Sequence, residues 1–145
     1  VERACLDTSV LIELSRRRLI GYVDLEDGLA IPAIVLYEYL RGLAYLGRDL
    51  RKARRALERR FTIIGLSSQV AEVAAGIYAE LRSRGILVPD PDILIAATCI
   101  SSDLPLATHN TKHFKKIPKL RIIDPEAIIE ELEKAKGLTE GLSSS

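Results

Sequence analysis

Apolar positions fall in short blocks separated by polar, glycine- or proline-bearing stretches, and the blocks alternate between two kinds. Residues 4–8, 29–31, 61–64, 104–107 and 120–123 are runs too short for a helix, and each reads as a buried strand. Between them lie longer segments with helical periodicity. Residues 10–18 form the first, ending in Arg16-Arg17-Arg18. Pro32 opens a second as its first helical residue, with Leu36, Leu40 and Leu43 on the core face and Gly47 closing it. Residues 48–60 form a charged helix. Ser67 caps the clearest helix, in which Val70, Val73, Ala74, Ile77 and Leu81 recur at helical spacing up to Gly85. In Asp90-Pro91-Asp92, Asp90 reads as a cap and Pro91 as the first helical position; the body over 93–101 is nearly all apolar and belongs against a sheet. Pro125 starts a last helix reaching about Lys136, and residues 137–145 read as a frayed tail.

Strands separated by helices predict an α/β protein: one α/β/α sandwich over residues 1–136, with a central, mostly parallel sheet of about five strands. The 145 residues suit one domain. Nearly half are apolar and the net charge is +1, which excludes a disordered chain and a global polyelectrolyte. Any nucleic-acid affinity must be local. Cys5 and Cys99 lie in apolar runs and read as reduced core residues. With no leader pattern and no apolar run near the roughly 18 residues of a membrane span, a soluble cytoplasmic protein is expected.

Asp7 interrupts an apolar run where the first strand hands over to a helix, at the sheet edge where open α/β folds place ligand sites. Glu38 lies two turns into the second helix, on the stripe of Ile34, Arg41, Gly42 and Tyr45; it reads either as a site acid or as a partner of Arg41. Asp92 is explained both by the helix dipole and by a site at the same edge, and Asn110 both as a cap and as a site residue. Crowded carboxylates need a cation, and hard oxygen ligands favour Mg²⁺ or Mn²⁺. Such an ion with open coordination suits phosphodiester hydrolysis.

The run from Leu6 to Ile12, the Glu38-Tyr39-Leu40-Arg41-Gly42 segment, residues 92–97 and residues 106–114 resemble the four motifs of PIN-domain ribonucleases, and in order and spacing they are most similar to VapC toxins. The resemblance implies a Mg²⁺- or Mn²⁺-dependent endoribonuclease in which Asp7 and Asp92 are the principal metal-binding acids. Glu38 is then the second acid and Ser9 the hydroxyl that orients Asp7. Asn110 stands where many relatives carry a fourth Asp, which removes one charge and puts a second tightly bound metal in question. It further implies homodimers and a cognate antitoxin protein that fills the acidic groove.

Two segments could track an RNA backbone. Residues 48–60 hold seven basic and two acidic residues, including Arg51 and Arg55; residues 112–121 hold five basic and none acidic, including Lys112, Lys115 and Lys116. A solvated helix face is the plainer account of the first. His109 and His113 stand four apart without a third ligand at helical spacing, so they do not read as a transition-metal pair, although His109 is a candidate RNA contact. Tyr37, Tyr39 and Tyr45 read as helix-packing or dimer-face residues. A haloacid-dehalogenase-like phosphatase would need an Asp two residues after Asp7, where Ser9 stands. A housekeeping PIN nuclease and a nonenzymatic PIN module that binds RNA or protein are the remaining alternatives, and the second is disfavoured by the presence of all three acids.

Overall fold

The computed structural model describes residues 2–143. Its strands are β1 (Ala4–Leu6), β2 (Leu29–Pro32), β3 (Thr62–Ile64), β4 (Leu106–Ala107) and β5 (Ile122–Ile123), ordered β3-β2-β1-β4-β5 with every pairing parallel. The helices are α1 (Thr8–Arg16), α2 (Ala33–Tyr45), α3 (Leu50–Glu58), α4 (Ser68–Ser83), α5 (Asp90–Ser101), α6 (Thr111–Phe114) and α7 (Glu126–Ser143). Parallel neighbours require long crossovers, and the helices supply them while covering the sheet, as in an α/β/α sandwich.

β1 is central because nothing in it needs water. Ala4, Cys5 and Leu6 are fully buried, and Cys5 sits in register with Ala30 on one side and Leu106 on the other. α5 also lies deep, burying Ile93, Ile95, Ala96, Ala97, Thr98 and Cys99. The Thr98 hydroxyl donates to the Leu94 carbonyl at 2.8 Å, which satisfies the hydroxyl inside an apolar helix. Each fully buried Leu or Ile here contributes roughly 1.5–3 kcal/mol. Cys5 and Cys99 are free, buried thiols, and hydrogen bonding to Cys5 together with burial pushes the Cys99 thiol far up. No described helix is long and apolar enough to cross a membrane.

Several local expectations change. Pro32 ends β2, paired with Ile64, and occupies the cap of α2 in extended backbone rather than its first turn. Pro89, not Asp90, caps α5: the Pro89 carbonyl accepts from the Asp92 and Ile93 N–H groups, so Asp90 becomes the first helical residue. Of Leu36, Leu40 and Leu43 only Leu36 packs against the core, partly buried beside Ile34 and Tyr39, and the one fully buried residue of α2 is Val35. Leu36 and Leu40 line an open apolar groove of about 490 Å³ with Tyr37, Ala44 and Leu50, because α3 folds back beside α2 without covering it. Gly47, at φ +71°, makes the turn between them. α7 runs past Lys136 to Ser143, since Gly137 and Gly141 weaken a helix but leave its hydrogen bonding intact; Thr139 bonds the Ala135 carbonyl at 3.0 Å. Residues 144 and 145 of the expected tail lie outside the described residues.

Candidate active site

Asp7 stands between β1 and α1 in extended backbone and caps the helix. Its Oδ1 accepts the Val10 N–H at 3.0 Å and the Ser9 hydroxyl at 2.9 Å, and its Oδ2 accepts the Thr108 hydroxyl. The residue is only 5 % exposed, so these three donors replace the water a buried carboxylate loses. Thr108 is available because β4 pairs directly with β1, and the Asp7 N–H bonds the Ala107 carbonyl at 3.3 Å.

Glu38 reaches the same edge from α2, where its Oε1 accepts the Thr8 hydroxyl at 2.6 Å. It does not pair with Arg41, which lies over the Tyr37 ring 5.3 Å from its centroid. Asp92 is the third residue of α5, and its Oδ2 lies 2.7 Å from His113 Nε2. Burial pushes the Asp92 carboxyl above its usual range; the His113 contact opposes this, while the charges of Glu38 and Asp7 add to it. Asp92 is therefore within electrostatic reach of both Glu38 and Asp7, carboxylates set at the same edge by two other elements.

Asn110 joins them through the backbone. Its N–H donates to Thr108 Oγ1 at 2.9 Å, and its carbonyl receives the His113 and Phe114 N–H groups. It occupies the cap position of α6 without a side-chain cap bond, leaving the amide exposed. Thr8, Thr108 and His113 are the members that reading the sequence missed. Thr8 and Thr108 lay inside quoted motifs, but nothing local signals hydroxyl donors to acids 30 and 101 residues away.

His109 does not join His113: its Nε2 meets Glu13 Oε2 at 2.9 Å, and Glu13 also pairs with Arg17 at 3.1 Å. Arg51, Lys52, Arg55 and Arg59 line an exposed concavity on α3, whereas Arg54 is paired with Glu58. Lys112, Lys115 and Lys116 are exposed just beyond Asn110. Arg121 is committed to Asp103 at 3.2 Å, which withdraws one of the five expected cations. Tyr39 packs α2 on α1 by donating to Ser15 Oγ at 3.0 Å, while Tyr37 and Tyr45 are exposed.

Among the described residues no three His, Cys, Asp or Glu side chains converge tightly enough to form an all-protein metal cage. The donors at this edge are carboxylate oxygens with an unbalanced negative charge. That set fits a hard, hydrated ion held by one or two carboxylates, and not a nitrogen–sulfur centre.

A family model, the PIN domain, matches residues 4–120. The chain belongs to the PIN-domain family. A "Ribonuclease VapC" of Rickettsia bellii is 34% identical over 125 residues, covering 81% of this chain and 92% of that protein. "Ribonuclease VapC1" of Methanocaldococcus jannaschii is 31% identical over 121 residues, covering 82% and 85%. Among solved structures, DNA-bound VapBC from Salmonella typhimurium superposes with a TM-score of 0.68 at 26% identity, covering 86% of this PIN chain and 98% of that one. A toxin–antitoxin complex from Klebsiella pneumoniae gives 0.63 at 29%, covering 84% and 97%.

Proposed function

We infer that this PIN-domain protein is an endoribonuclease that hydrolyses RNA phosphodiester bonds with Mg²⁺ or Mn²⁺ and acts as the toxin of a toxin–antitoxin pair. The observation that carries the reading is the meeting of Asp7, Glu38 and Asp92 at one sheet edge, in a chain whose relatives are named ribonucleases. That structural neighbours are toxin–antitoxin complexes favours a toxin over a housekeeping nuclease. The same neighbours support a cognate antitoxin as partner, and the open apolar groove beside α2 supports a protein–protein contact, with the antitoxin or in a homodimer.

Asp7 and Asp92 would hold the ion, which when bound supplies an activated water and neutralises charge on the phosphoryl oxygens. Asp7 is held still by Val10, Ser9 and Thr108. Glu38 has Oε1 occupied by Thr8, so Oε2 is the atom that accepts the proton from the attacking water. Asn110 presents a neutral amide beside them. Exposed Lys112, Lys115 and Lys116 receive the RNA backbone next to the acids, and Arg51 and Arg55 extend its track on α3.

The test is cleavage of a mixed RNA pool with Mg²⁺, with Mn²⁺ and with chelator, beside Asp7→Asn. Discrete products that need the ion and vanish in the variant are expected. Products that survive chelation or the substitution would overturn the assignment.

A further inference from the structure

His113 is assigned no part in the chemistry above, yet it touches the centre. Its Nε2 lies 2.7 Å from Asp92 Oδ2, and both side chains are largely buried, at 33 % and 25 % exposed. The ring is held in place: it packs edge-on against Phe114 at 5.8 Å, and Phe114 is 2 % exposed. The backbone is held too, because the His113 and Phe114 N–H groups both bond the Asn110 carbonyl. The turn that carries His113 is pinned on its other side by Thr108 on Asp7 and by His109 on Glu13 of α1. Residues 108–113 thus span from Asp7 at the head of α1 to Asp92 at the head of α5.

We propose that His113 is a positioning residue for Asp92: its imidazole holds Oδ2 and so presents Oδ1, which has no protein partner among the described residues, to a divalent cation. This rests on the metal-dependent reading of the site and goes beyond it by naming what orients its second acid. A carboxylate on a half-buried helix start can rotate about its last torsion, and a ring nitrogen fixed 2.7 Å from one oxygen, close but out of line for a hydrogen bond, decides which edge is left for an ion. Partners of this kind change metal affinity by 10- to 100-fold when removed.

The experiment is Mn²⁺ binding to metal-free protein without RNA, followed by calorimetry or by the spin resonance of free Mn²⁺, for wild type, His113→Phe, His113→Gln and Asp92→Asn. His113→Phe keeps a ring against Phe114 but has no donor, whereas His113→Gln keeps an N–H at a similar reach. The expected result is roughly 10- to 100-fold weaker binding in His113→Phe. His113→Gln should restore most of that loss, and His113→Phe should add nothing in an Asp92→Asn background. Thermal unfolding of each variant confirms that it is folded, and His113→Leu, which also lacks a polar nitrogen, carries the test if the Phe variant is not. Unchanged or tighter Mn²⁺ binding by His113→Phe overturns the inference and leaves the metal reading standing. A wild-type protein that binds no Mn²⁺ overturns both, and that outcome is visible before any variant is compared.

Discussion

Asp7 caps α1 with the oxygen that also accepts Ser9, so its substitutions separate structure from chemistry. Asn and Asp are comparable caps, whereas Ala costs about 0.5–2 kcal/mol. Asp7→Asn should therefore unfold close to wild type, and Asp7→Ala should be measurably less stable. Both should lose RNA cleavage by about 100-fold or more, as expected for removal of several kcal/mol of metal-borne charge stabilisation. Urea melts beside initial rates check the pair. Asp92 offers a second test through its sign. Its carboxyl is raised above the unfolded value, so its stabilising contribution is complete below the ordinary carboxylate pKa, about 3.9. That contribution is lost as pH rises through the folded value. Asp92→Asn should then melt higher than wild type at pH 7 in chelator, with the gap closing near pH 4. Adding Mn²⁺ should raise the wild-type midpoint and leave the variant's in place.

Elements whose signal was local could be read from the sequence. The spacing from Val70 to Leu81 gave α4, Ser67 caps it at 3.2 Å through Val70, and the apolar body after Asp92 gave α5. Pattern failed where a neighbour decided the outcome. Leu36 and Leu40 have helical spacing, yet α2 turns Val35 inward, leaves Leu36 only partly buried and leaves Leu40 in an open groove. Asp90 has the composition of a cap, yet the Pro89 carbonyl takes its place. On the basic helix α3, Arg51 and Arg55 line one concavity with Lys52, Arg59 and Asp49, and among the described residues neither is in an ion pair, so they are the pair to substitute. Replacing both with Ala should weaken RNA binding and flatten its logarithmic salt dependence by roughly 0.7 per lost phosphate contact. Binding at several salt concentrations, with the single-strand slope compared, checks this; an unchanged slope returns α3 to a solvated surface. The buried thiols make a different prediction. Cys5 and Cys99 should react with a thiol reagent only as fast as the protein opens, and fully in denaturant.

At the scale of the whole molecule, a parallel sheet of about five strands was implicit in the alternation of strands with helices, but the order β3-β2-β1-β4-β5 and the contacts that build the site were not. Asp7 with Thr108, Glu38 with Thr8 and Asp92 with His113 are tertiary pairings that no window of sequence contains. Placing β1 between β2 and β4 also has a consequence for synthesis. During synthesis β1 cannot be completed on one side until residues near Leu106 follow it. At 5–20 residues per second that interval is roughly 5–20 s. For most of it the nascent chain lacks Asp92, and throughout it lacks Thr108 and His113, so a translation product interrupted there ends without the contacts that build the site.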